Sequence, residues 1–202
     1  TGKNHPMAQE VIANGETDWR KVVVSLTMEI PRSGHKGSSN IRIFYQKQMA
    51  HHLLPEIERE WIAGLTNCFL IRDPAEVIAS YLKKNPDPTL QDLGFAQQAE
   101  IFALVRQHSG RIPPVIDARD VLENPARILR LLCARLGVEF DPAMLKWAPG
   151  LRETDGVWAK HWYGEVASST GFVPYRDRRA EVPERLREIE IRCRESYDLL
   201  YR

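Results

Sequence analysis

The stretch that most restricts the fold is Asn67-Cys68-Phe69-Leu70-Ile71-Arg72, which runs without a linker into Asp73-Pro74-Ala75-Glu76. A short, nearly continuous apolar run predicts a strand buried on both faces, as in a parallel sheet covered by helices. Asp73 is suited to N-cap the following helix, Pro74 to its first position, and Glu76 to the carboxylate place of a capping box. Strand and helix therefore meet at Arg72. Ligands of open parallel sheets sit beyond the carboxyl ends of the strands, so Arg72 stands where a ligand is expected.

The rest of the chain fits such a sheet. Residues 17–30 read as an amphipathic helix with Trp19, Val22, Val23, Leu26 and Ile30 on one face. Pro31 to Asn40 reads as a Gly/Ser/basic loop, Ile41 to Gln46 as a short strand, and 55–62 as a polar helix. The helix after Asp73 breaks at Pro86 and Pro88; another is expected over 94–108, then a short strand at Val115 to Asp117. Asn124-Pro125 opens a helix with Ile128, Leu131, Leu132 and Leu136 on its core face and Gly137 as its stop. Pro183 opens a last helix with Leu186, Ile189, Cys193, Tyr197 and Leu200 on one face. Strands alternating with helices predict an α/β protein, a three-layer parallel sheet flanked by helices, over residues 1–202 as a single domain.

Composition narrows the partners. The 28 basic and 27 acidic residues leave a net charge of +1, which argues against a general nucleic-acid or membrane coat. No apolar run reaches the length of a membrane span. Cys68, Cys133 and Cys193 form no C-x-x-C pair and no metal cluster, so a reduced, cytoplasmic, metal-free protein is expected. Cys68 and Cys193 read as packing residues.

Phe69-Leu70-Ile71-Arg72-Asp73-Pro74-Ala75-Glu76-Val77-Ile78-Ala79-Ser80-Tyr81 resembles the 3'-phosphate-binding motif of the sulfotransferase family. That motif is a buried strand, an Arg, a polar-Pro turn, and a helix with Ser eight residues after the Arg and an aromatic next. A second stretch, Ile116-Asp117-Ala118-Arg119-Asp120-Val121-Leu122-Glu123-Asn124-Pro125 and on through Leu136-Gly137, resembles the segment after the family's middle strand. Together the likeness covers residues 41–145 well and the C-terminal third loosely. It implies a P-loop nucleotide-hydrolase-like fold and 3'-phosphoadenosine-5'-phosphosulfate as sulfuryl donor. It also implies a hydroxyl or amine of a small molecule as acceptor, with Arg72 and Ser80 holding the 3'-phosphate. A guanidinium suits that task because it can grip phosphate with two parallel charge-assisted bonds.

The same resemblance places Tyr45 to Pro55 at the family's Lys-Thr-His segment. Lys47 matches the Lys that steadies charge on the donor's bridging oxygen, while Met49 takes the place of the His. His51 and His52 lie two and three residues further on and are candidates for the general base. Trp158 or Phe172 could stack on adenine, and Lys160, His161 or Arg176 could reach phosphate, as the family's C-terminal portion folds over the nucleotide.

The family's 5'-phosphosulfate loop has no counterpart here. Gly34-His35-Lys36-Gly37-Ser38-Ser39 lacks the G-x-x-x-x-G-K-[ST] spacing and a preceding buried strand. The chain opens Thr1-Gly2-Lys3 without Met, so that loop and its strand are expected to precede Thr1. Two other readings stand beside sulfuryl transfer. A kinase-like phosphoryl transferase would need a Mg²⁺-holding Asp that the strand ending at Arg72 does not offer. A non-catalytic domain binding nucleotide or a partner is consistent with Met49 and with the missing loop.

Overall fold

The computed structural model describes residues 8–27, 43–152, 155–156, 159, 163–177 and 180–202. Its centre is a parallel pair of three-residue strands, β1 (Phe69–Ile71) and β2 (Val115–Asp117), in the register Phe69 to Val115, Leu70 to Ile116 and Ile71 to Asp117. The connection between them carries α4 (Pro74–Leu82), α5 (Leu90–Leu93) and α6 (Phe95–Ser109). Before β1 lie α1 (Ala8–Asn14), α2 (Trp19–Thr27), a 3-10 turn at Ala50–His52 and α3 (Glu60–Ala63). After β2 come α7 (Ala118–Glu123), α8 (Pro125–Leu136), a 3-10 turn at Pro142–Leu145, α9 (Gly164–Ser168), a 3-10 turn at Glu184–Leu186 and α10 (Arg187–Tyr201). The protein is thus α/β with a parallel strand pair. Among the described residues the sheet has these two strands.

Period-2 geometry sends Phe69 and Ile71 of β1 to one face, where they meet Ile62 of α3, Phe102 and Val105 of α6 and Leu200 of α10. Phe69 and Phe102 meet edge to face with centroids 5.5 Å apart. Each such side chain contributes about 1.5–3 kcal/mol by leaving water. On the opposite face Leu70 is 58% exposed. The expectation of a strand buried on both faces is therefore corrected to one, because α3, α6 and α10 all lie on the Phe69 side. Cys68 is exposed too, not a packing residue, whereas Cys193 is fully buried on α10.

Local signals set the helix ends. Asp73 Oδ1 accepts from the N–H groups of Ala75 and Glu76 at 2.8 and 3.4 Å, and Pro74 opens α4 as its geometry favours. Asn124 caps α8, and Gly137 ends it with φ 68°, a left-handed value that favours glycine. A capping box forms at Thr89 and Asp92. At α4 the expected box does not, since the Glu76 carboxylate is taken by other partners.

Several boundaries move. Residues 41 and 42 fall outside the described residues, and 43–49 has no regular secondary structure, so the expected strand at Ile41 to Gln46 does not appear among the described residues. The helix expected over 55–62 shrinks to α3, and α1 lies upstream of every expected helix. On α8 Leu131 points out, 54% exposed, and Cys133 takes the buried place. α2 and α10 present the expected faces over their described residues, with Leu186, Cys193 and Leu200 buried at the C-terminal end of the chain.

Candidate functional site

The parallel register brings the ends of β1 and β2 side by side, and each continues into a helix capped by an aspartate. Asp73 caps α4; Asp117, the last residue of β2, accepts from the Arg119 N–H of α7 at 2.7 Å. Both caps are also held by α10. Arg194 Nη1 donates to Asp73 Oδ2 at 2.7 Å, and the Tyr197 hydroxyl donates to Asp117 Oδ2 at 2.7 Å. Residues three apart on a helix share a face, which is how one helix reaches both strand ends.

In front of these ends opens a cleft of about 250 Å³, whose walls include Arg72, Glu76, Asp117, Arg119, Tyr175 and Asp177. Pockets that bury a drug-sized ligand run to roughly 300–1,000 Å³, so this one lies just below that range. Arg72 is half exposed and its Nε donates to Glu76 Oε2 at 2.8 Å. The other Glu76 oxygen accepts from the Tyr175 hydroxyl at 2.8 Å. Arg119 lies over the Tyr175 ring, 5.3 Å from guanidinium carbon to centroid, and its Nε donates to Glu123 at 2.9 Å. The hydrogen bond to Glu76 and burial push the Tyr175 phenol up to about 12. Burial and then the Asp117 carboxylate hold the Tyr197 phenol well above its ordinary value. Both tyrosines are therefore donors at neutral pH. Burial alone would raise Asp73, but Arg194 and the two capping N–H groups outweigh it and hold the carboxyl below its usual range.

Arg72 thus lies at the strand end expected for it. Ser80 is exposed on α4, one turn beyond Glu76 on the same stripe, and outside the cleft lining. Arg176 is exposed between the two lining residues Tyr175 and Asp177. Phe172 is half-buried elsewhere, edge-on to Trp147 at 5.4 Å. Trp158, Lys160 and His161 lie outside the described residues.

Lys47, His51 and His52 form a second group, none of them in the cleft lining. The two histidine rings meet edge to face at 4.4 Å. Burial lowers the His51 pKa, Asp92 of α5 works against that, and Lys47 adds to the lowering. Gly94 closely approaches His51: a Cβ there would lie 3.0 Å from the His51 backbone nitrogen. Met49 is 41% exposed beside them. Among the described residues there is no group of three or more His, Cys, Asp or Glu that could hold a metal, and no helix long and apolar enough to cross a membrane.

Sequence reasoning did not single out Arg119, Asp117, Tyr175, Tyr197 or Arg194 as parts of one site. The i,i+4 spacing of Arg119 and Glu123 was a readable signal, matching that of Arg72 and Glu76. The tyrosine contacts carry no local signal.

A family model described as a sulfotransferase domain matches residues 1–187. Two curated proteins of Arabidopsis thaliana, branched-chain-amino-acid aminotransferase-like proteins 1 and 2, are 33% and 30% identical to the chain over 172 residues. The matches cover 85% of this chain and 29% of each relative, so the chain spans under a third of the length of these curated relatives. No solved structure matches the chain.

Proposed function

As the chain belongs to the sulfotransferase-domain family, we propose that it moves a sulfuryl group from 3'-phosphoadenosine-5'-phosphosulfate to a hydroxyl or amine of a small acceptor. The acceptor oxygen or nitrogen attacks sulfur, the bond from sulfur to the bridging oxygen breaks, and 3'-phosphoadenosine-5'-phosphate leaves. A base takes the acceptor proton. Arg72 and Ser80 hold the 3'-phosphate, Lys47 steadies charge on the bridging oxygen, and His51 or His52 is the base. No metal takes part.

The observation that carries this reading is the position of Arg72. It is a half-exposed guanidinium at the carboxyl end of a parallel strand, with Ser80 two turns along the helix that follows. A lowered His51 pKa favours a neutral imidazole near neutral pH, the form that accepts a proton.

A second reading is a nucleotide- or partner-binding domain without catalysis. Met49 favours it, since a thioether cannot accept the acceptor proton.

The test of donor binding is a titration of full-length protein with 3'-phosphoadenosine-5'-phosphate and with adenosine 5'-phosphate. In the Arg72→Ala variant the first should lose about 2–3 kcal/mol and the second little, since a charge-assisted bidentate contact is removed. Equal weakening of both would show that Arg72 does not read the 3'-phosphate. Sulfuryl transfer to any hydroxyl or amine by full-length protein separates catalysis from binding alone.

A further inference from the structure

We propose that Asp92 is a positioning residue for the proposed base His51: its carboxylate is a fixed counter-charge that steadies the imidazolium formed when His51 takes the acceptor proton. The inference rests on the reading of His51 as the base and adds to it a residue from α5.

The backbone brings the two together. Gly94 ends α5 in a left-handed conformation, φ 74°, and packs closely on the 3-10 turn that carries both histidines. A Cβ there would lie 3.0 Å from the His51 backbone nitrogen and 3.2 Å from the His51 Cβ. Asp92 stands two residues before that contact, on a helix that packs on the same turn. Its carboxylate is anchored locally: Oδ2 accepts from the Thr89 N–H at 2.9 Å and from the Thr89 hydroxyl at 2.7 Å. The charge is thus in place before any proton moves, and stabilising a transient cation costs it no reorganisation.

His51 requires such a partner. Its imidazole is partly buried, while His52 is exposed. Burial and Lys47, from the segment before the turn, both disfavour the charged ring, and among the described residues Asp92 favours it. The helix α6 also packs on the turn but brings no charge that acts on His51, and His52 meets it ring to ring at 4.4 Å. A base that could not carry a proton would be too weak to draw one from a hydroxyl or amine. Asp92 acts on the ring as a charge and not through a hydrogen bond, and partial burial strengthens such an interaction.

NMR of full-length protein carrying isotope-labelled histidine follows the His51 ring, its signal assigned by its loss in His51→Ala. In Asp92→Asn the His51 titration should move to lower pH, and in Asp92→Glu, which keeps the charge, it should stay near that of wild type. The pH profile of sulfuryl transfer to phenol and to aniline is measured alongside. In Asp92→Asn its acid limb should move down with the His51 titration, while the plateau falls roughly 2–10-fold, the scale of a partly screened pair of charges. A merely structural loss would lower the plateau and leave the limb in place. Asp92→Ser, also neutral, gives the same reading if the amide variant does not fold. An unmoved His51 titration overturns the role of Asp92 and leaves the base reading to stand on His51→Ala. A titration that moves without the acid limb shows that His51 is not the base, and both readings fall, as they do if wild type transfers sulfuryl to neither acceptor.

Discussion

The Tyr197 hydroxyl donates at 2.7 Å to Asp117, a carboxylate only 6% exposed at the end of β2. Burying a charge without partners is costly, and here a phenol from α10 shares the work with the Arg119 N–H. Tyr197→Phe keeps the ring and removes that donor. It should cost about 1.5–3 kcal/mol of stability, the scale of a lost hydrogen bond to a buried charge. Urea unfolding measures it; a loss within error would mean that Asp117 finds another partner.

Arg194 gives a pH signature. Its bond helps hold the Asp73 pKa below the ordinary carboxylate value. A depressed carboxylate pKa stabilises the fold above the unfolded-state pKa, about 3.9 for Asp. That stability is lost as pH falls through the folded-state value. Arg194→Ala should therefore destabilise most at neutral pH, and its deficit should shrink as the medium is acidified below pH about 4. Unfolding at pH about 7 and about 3 checks the sign; a deficit equal at both would assign the Arg194 contribution to packing.

Charge on the cleft wall bears on the proposed donor binding. Asp177 lines the cleft beside Tyr175. Asp177→Asn should tighten 3'-phosphoadenosine-5'-phosphate binding several-fold, more at low salt than at high, because screening shortens the reach of exposed charges. Weaker binding would make Asp177 a ligand-orienting group instead of a repulsive one.

Ser80 offers a hydroxyl and no charge. Ser80→Ala should weaken the same ligand by about 0.5–1.5 kcal/mol, less than Arg72→Ala, with monophosphate binding unchanged. A loss as large as that of Arg72→Ala would point to a rearranged α4, visible by circular dichroism.

The base can be located by pH. If His51 is the base, turnover of full-length protein should fall on the acid side with an apparent pKa below the ordinary 6.5, as burial lowers it. His51→Ala should then depress turnover roughly 10²–10⁴-fold with donor binding intact. Near-normal turnover in a His51→Ala, His52→Ala double variant would remove the histidine reading.

What the chain wrote locally could be read from it. Asp73-Pro74 and Asn124-Pro125 start helices, Gly137 stops one, and the stripe Leu186, Cys193 and Leu200 buries one face at the C-terminal end, because caps and periodicity act within a few residues. The expected strand at Ile41 to Gln46 misled over its described residues because strand propensity counts only where a partner edge pairs with it. Leu70 misled because an apolar residue in a strand does not say what covers it. The cleft was half legible. Arg72 announced itself through spacing, while Tyr175 reaches Glu76 across 99 residues and Tyr197 reaches Asp117 across 80, and no short-range pattern marks such pairs.

The hold of α10 on both strand ends has a kinetic side. Arg194 and Asp73 stand 121 residues apart, and Tyr197 and Asp117 80. Closing such long loops costs entropy before any contact returns it, so these ties belong to the slow part of folding. The caps of α4 and α7, by contrast, lie within two or three residues of the groups they satisfy. Mixing refolding protein with a fluorescent adenosine bisphosphate should therefore show nucleotide capture lagging behind the gain of helix, with Tyr197→Phe lengthening the lag. A newborn chain would carry Arg72 and Arg119 long before α10 fixed the strand ends beside them.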